Sequence, residues 1–109
     1  MTAGNFAQAE GLLRRALMTD TAALNAMVLL CSTQFARREY IDSLATAQKV
    51  HRLTQDGRYA DVHLVAAEIF ITENKHREAA NEYQSFVKER PQDPRLPKIK
   101  SLISQLAIQ

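Results

Sequence analysis

The side chains best equipped for chemistry in this sequence are His51, His63, His76 and Cys31. A helical metal site draws its ligands from positions three or four residues apart, but each histidine falls on a different helical segment with no second ligand at that spacing. The spacing therefore predicts no metal site. A nucleophilic thiol needs an adjacent base and an exposed, electropositive setting. Cys31 instead follows the apolar run Met27-Val28-Leu29-Leu30, which reads as the setting of an inert core thiol. No glycine-rich phosphate loop and no serine–histidine–aspartate arrangement is present. The expectation is a chain that is not an enzyme and holds no cofactor.

The scaffold that must position these residues has 109 residues, enough for one domain with a modest core. Three glycines, three prolines and no tryptophan, in a chain rich in good helix formers, predict an all-α fold. The net charge of +2 is spread without a basic block or an aromatic-laced basic stripe, so nucleic acid is not expected as a partner. A single cysteine excludes an intrachain disulfide. No apolar run approaches the length of a membrane span, and no membrane insertion is expected. MTAGNFAQAE lacks the basic and apolar regions of a signal peptide. The cytoplasm is thus the favoured compartment, with the periplasm as the alternative for a chain whose leader has been removed.

Sliding the sequence along itself reveals its organisation. A shift of 34 aligns Phe6 with Tyr40, Ala9 with Ser43, Leu13 with Ala47 and Ala16 with Val50. A further shift of 36 aligns Tyr40 with His76, Ser43 with Ala79, Ala47 with Tyr83 and Val50 with Phe86. Periods in this range mark stacked helix pairs. In the third copy Ala79, Tyr83, Phe86 and Val87 make one helical stripe, closed by Pro91 and Pro94. His76 stands in the aromatic slot beside the turn and reads as a packing residue.

These residues resemble the tetratricopeptide repeat family. The second-helix signature of that family is a turn residue, an aromatic, a small residue three later, a bulky residue four beyond, then a proline after the helix. It is matched by Gly4, Phe6, Ala9, Leu13 and Ala16, and again by Asn74, His76, Ala79, Tyr83, Phe86 and Pro91. Leu30-Cys31 and Ala66-Ala67 stand where the family favours Leu-Gly, Met27 and His63 replace its tryptophan, and Arg38 takes the place of a turn glycine. The resemblance implies a right-handed α-solenoid of antiparallel helix pairs, about six helices in all. These are an orphan helix within 4–20, one repeat over 22–54, a second over 58–91, and a capping helix over 94–108. In the second repeat the helices should run over Tyr59 to Thr72 and Lys75 to Arg90, with Gly57 supplying a permissive turn backbone. Ala22 to Arg37 is apolar almost all round and should be central.

The resemblance also implies a non-catalytic protein–protein interaction module whose concave groove, lined by the first helix of each pair, holds a peptide or helix. That pattern places Asn25, Val28, Leu29, Ser32 and Phe35 in the groove, with Asp61, Leu64, Val65, Glu68 and Ile71 opposite. Members that clamp acidic tails carry cations there; here the charges are Asp61 and Glu68, so an apolar or amphipathic segment with a basic residue is the expected occupant. Alternatives are a homodimer formed through Leu12, Leu13 and Leu17 of the orphan helix, a regulatory segment of a larger enzyme, and an envelope-assembly adaptor.

Overall fold

The computed structural model describes residues 21–108. It is all-helical: α1 (Thr21–Ala36), α2 (Tyr40–Leu53), a short 3-10 turn (Gly57–Tyr59), α3 (Asp61–Thr72), α4 (His76–Glu89) and α5 (Leu96–Ile108), with no strand among the described residues. The predicted orphan helix, with Leu12, Leu13 and Leu17, lies outside the described residues. Each helix packs on the next in sequence, and α1 also touches α3.

The 36-residue shift reappears in the hydrogen bonds. After α1, Arg38 N–H donates to Phe35 O and Glu39 N–H to Gln34 O; after α3, Asn74 N–H donates to Ile71 O and Lys75 N–H to Phe70 O. Both are Schellman closures, which satisfy the last carbonyls of a helix by putting one residue in the left-handed region. Those residues are Arg38 (φ 63°) and Asn74 (φ 62°). The next helix then starts the same way twice, Ser43 N–H to Glu39 O and Ala79 N–H to Lys75 O.

A left-handed backbone costs a residue with a Cβ about 1–2 kcal/mol, and asparagine bears it better than arginine. Arg38→Gly should therefore raise the free energy of unfolding by roughly 0.5–1 kcal/mol, after the entropy that glycine adds to the unfolded chain is subtracted. Asn74→Gly should gain less. Urea denaturation of the two variants checks both the sign and the order.

Gly57 departs from the expected role. No described glycine has positive φ. What Gly57 provides is room, because a Cβ there would stand 2.5 Å from the backbone oxygen of Glu89. Arg90 Nη1 completes this contact by donating to Gly57 O at 3.0 Å.

The aligned positions Ser43 and Ala79, Ala47 and Tyr83, Val50 and Phe86 are all buried. They serve two apolar clusters. The first joins Leu24 and Cys31 of α1, Ala47, Val50 and Leu53 of α2, and Val62 and Ala66 of α3. The second joins Ala67 of α3, Ala79, Tyr83 and Phe86 of α4, and Ile99 and Leu106 of α5, with Phe70 packed against both. The central helix is therefore α3, which feeds both clusters. The expectation that the α1 segment is the central helix is corrected: its Leu24 and Cys31 are buried, whereas Leu29 is 68% exposed and Leu30 48%.

Between α4 and α5 the chain turns at Asp93, which is buried. Its carboxylate accepts from Arg90 Nε at 2.8 Å, from the Arg95 backbone N–H at 2.8 Å and from Arg95 Nε at 2.9 Å. The Arg95 side chain, its backbone N–H and then Arg90 hold Asp93 well below the usual carboxylate range. Arg95 also reaches Asp61 at 3.0 Å and lays its guanidinium over the Phe86 ring. One arginine thus ties the turn to α3 and α4. Asp93 and Pro94 fix the start of α5, and Pro97 fits its first turn, where a missing N–H leaves no bond unmade.

Candidate functional site

Two places in the described structure could carry function: the face shared by α1 and α3, and a cluster of polar side chains buried between α2, α3 and α4. The face is the one marked out by the sequence. All ten of its residues are solvent-accessible to some degree. Asn25, Leu29 and Ser32 on α1 and Asp61 and Glu68 on α3 are exposed; Val28, Phe35, Leu64, Val65 and Ile71 are half-buried. Val28 and Val65 lean on the first core cluster, while Leu64 and Ile71 lean on the second. Phe35 stacks at a tilt on Tyr40, centroids 5.7 Å apart. Asp61 already has its cation, Arg95 of this chain. Glu68 is left as the acidic group of this face that makes no ion pair among the described residues.

The buried cluster escapes any reading by local spacing. His63 is buried in α3 with a carboxylate on each ring nitrogen, Glu82 at 2.7 Å from Nδ1 and Glu89 at 2.8 Å from Nε2. Both carboxylates come from α4, where residues 82, 86 and 89 share one helical face with Phe86. Ionised carboxylates only accept, so both ring nitrogens must donate, which makes His63 an imidazolium. Burial opposes that charge. The hydrogen bond to Glu82 and the negative charges of Glu89 and Glu82 outweigh it, and the pKa of His63 rises above its ordinary value.

His51 enters from α2. Its ring meets that of His63 edge to face, centroids 4.8 Å apart, and its Nδ1 lies 3.5 Å from the same Glu89 oxygen. That Nδ1 is out of contact with solvent yet makes no hydrogen bond among the described residues. A cleft of about 240 Å³ opens beside the rings, lined also by Ala47, Gln48, Arg52 and Ala66. Three helices whose histidines looked unrelated in sequence thus deliver His51, His63 and Glu89 to one point, their ligand atoms all within 4.8 Å of one another. His76 takes no part in this group; it is half-buried at the start of α4.

Cys31 is fully buried, its thiol donating weakly toward Ser43 O at 3.5 Å while Ser43 Oγ donates to Cys31 O at 2.8 Å. Burial pushes the thiol up, against the hydrogen bond with Ser43. Among the described residues its hydrogen-bond partner is Ser43, and no ion pair involves it. Among the described residues no helix is long and apolar enough to cross a membrane.

Comparison of the chain with protein-family models, with curated proteins and with solved structures yields no match.

Proposed function

We propose that the chain is a non-catalytic binding module, built as a short tetratricopeptide-like solenoid, which holds an apolar or amphipathic segment of a partner protein on the face shared by α1 and α3. The observation that carries this reading is the exposure of Leu29 beside a band of half-buried Val28, Phe35, Leu64 and Ile71 on two helices in contact. A large apolar side chain left mostly in water at the edge of such a band favours a protein partner. The solenoid reading is supported by the Schellman closures repeated at a shift of 36 residues and by the contact of α1 with α3, the first helices of successive pairs. Because Arg95 occupies Asp61, a basic residue of the partner would pair with Glu68.

The structure changes which variants test this. Phe35 packs on Tyr40 and Leu64 on the core, so altering either would disturb the fold as well as the face. Leu29→Asp alters the face alone. Peptides selected from a random displayed library against the purified chain should be apolar or amphipathic and carry Lys or Arg rather than acidic tails. Their affinity for Leu29→Asp should fall by about tenfold or more, because an apolar contact is replaced by a charge buried without a partner. Selection of acidic peptides, or binding indifferent to Leu29→Asp, would overturn the reading.

A further inference from the structure

We propose that His51 Nδ1, His63 Nε2 and a Glu89 carboxylate oxygen form a binding site for a divalent zinc-class ion, with Glu82 orienting His63 from the far side of its ring.

Four observations converge on this site. Its donor set, two imidazole nitrogens and one carboxylate oxygen, suits zinc and its first-row neighbours rather than magnesium or calcium, which prefer oxygen alone. The second is the hydrogen bond from His63 Nδ1 to Glu82 at 2.7 Å. Metal-bound histidines generally donate their other ring N–H to a carboxylate, which fixes the tautomer and turns the free lone pair toward the ion. Glu82 does this for Nε2, the nitrogen that faces Glu89. Third, His51 Nδ1 is shut off from solvent without a hydrogen bond, 3.5 Å from the Glu89 oxygen. A ring nitrogen left so is costly unless it gains a partner, and an ion bound by its lone pair supplies one.

The fourth is charge. Glu82 and Glu89 pair with no lysine or arginine among the described residues; Arg52 and Lys88 border the clefts there without bonding to either carboxylate. Two carboxylates and one imidazolium leave a net negative charge. A dication that takes the place of the proton on His63 Nε2 makes the group neutral: the N–H bond breaks, the nitrogen lone pair binds the ion, and the proton leaves to solvent.

The distances require only a modest adjustment. Tetrahedral zinc with bonds of about 2.0–2.2 Å sets its ligands roughly 3.3–3.5 Å apart. His63 Nε2 and Glu89 Oε2, now 2.8 Å apart, must separate slightly, and His51 must draw inward. The side chain of His51 is 40% exposed and free of hydrogen bonds, so it can move at little cost. With three protein ligands the ion keeps a fourth position for water. The three ligands come from α2, α3 and α4, so the bound ion would fasten the first helix pair to the second.

The test titrates zinc into the untagged full chain, stripped of metal, and follows heat and competition with a chromophoric chelator. Cobalt is used in parallel, because its visible absorption is intense only in tetrahedral sites. The expected result is one equivalent of zinc bound, tetrahedral cobalt absorption, and no uptake of magnesium. His51→Ala should weaken zinc at least tenfold while the metal-free variant keeps its helicity and unfolding midpoint. Glu82→Gln should weaken zinc by about ten- to a hundredfold. His76→Ala should bind as the wild type does. Equal zinc affinity in wild type and His51→Ala would overturn the proposal, as would no uptake by the wild type at zinc concentrations up to about 1 mM.

Discussion

Phe86→Ala should lower the free energy of unfolding by about 3–5 kcal/mol, the usual cost of removing a buried phenylalanine ring. Phe86 is the largest fully buried side chain described, and it sits where α3, α4 and α5 meet. Its loss opens a cavity that these helices can close only by shifting together. It also deprives Arg95 of the ring on which its guanidinium rests 5.1 Å away, and Arg95 holds both Asp93 and Asp61. The variant should therefore loosen α5 as well as the core. A domain of this size has about 5–15 kcal/mol in all, so a large share of it rests on one residue. Val50, which lies 36 residues earlier and is likewise buried on the second helix of its pair with α1, is a fair control. It is equally buried but smaller, and Val50→Ala should cost less. Urea unfolding of the two variants gives the order directly, and a loss below about 1 kcal/mol for Phe86→Ala would contradict the packing described.

The pairing of Val50 with Phe86 also shows why so much of the fold was legible. Apolar stripes and turn residues are local signals that both copies display, while prolines follow the second-helix segment of the later copy alone. Positions that align in sequence share their hydrogen bonds in space, down to the left-handed residues Arg38 and Asn74. Arg38 looked like a departure from the glycine of the turn, yet the turn is made with the arginine strained into place. Gly57 was legible as a turn residue but not for its reason, since its constraint comes from Glu89, far along the chain. The ten residues of the α1–α3 face are those that the family resemblance implies, and all are solvent-accessible to some degree. Whether Leu29 or Val65 was needed for packing depended on how the helices lean on one another, which periodicity does not contain. The histidine cluster was the least legible, because its members meet only through the packing of three helices. One signal did exist: Glu82 and Glu89 lie on the same stripe of α4 as Phe86, and a carboxylate on a buried stripe needs a buried partner.

That partner is His63, and its removal is the other change with a large expected effect. His63→Ala should destabilise the chain by about 3–5 kcal/mol, as when one member of a buried ionic group is deleted and the others stay. Glu89 would be left nearly buried and Glu82 mostly so, both without their cation. The loss should depend on pH in a definite direction, provided that a chelator keeps the site free of metal. The groups that face His63 are Glu82 and Glu89 from α4 and His51 from α2. Their hydrogen bonds and charges overcome burial and raise its pKa above the ordinary value of about 6.5. A raised pKa means that the folded chain holds this proton more tightly than the unfolded chain does. The stabilisation is therefore complete below about pH 6.5 and fades as the pH climbs through the raised value. Wild type should lose stability between neutral and alkaline pH more steeply than His63→Ala, and the gap between the two should narrow. Glu89→Gln, which leaves a neutral acceptor beside Nε2, should fall between them near pH 6. Chemical denaturation of the three proteins at several pH values measures this, and parallel curves for wild type and His63→Ala would show that His63 is not held as a cation.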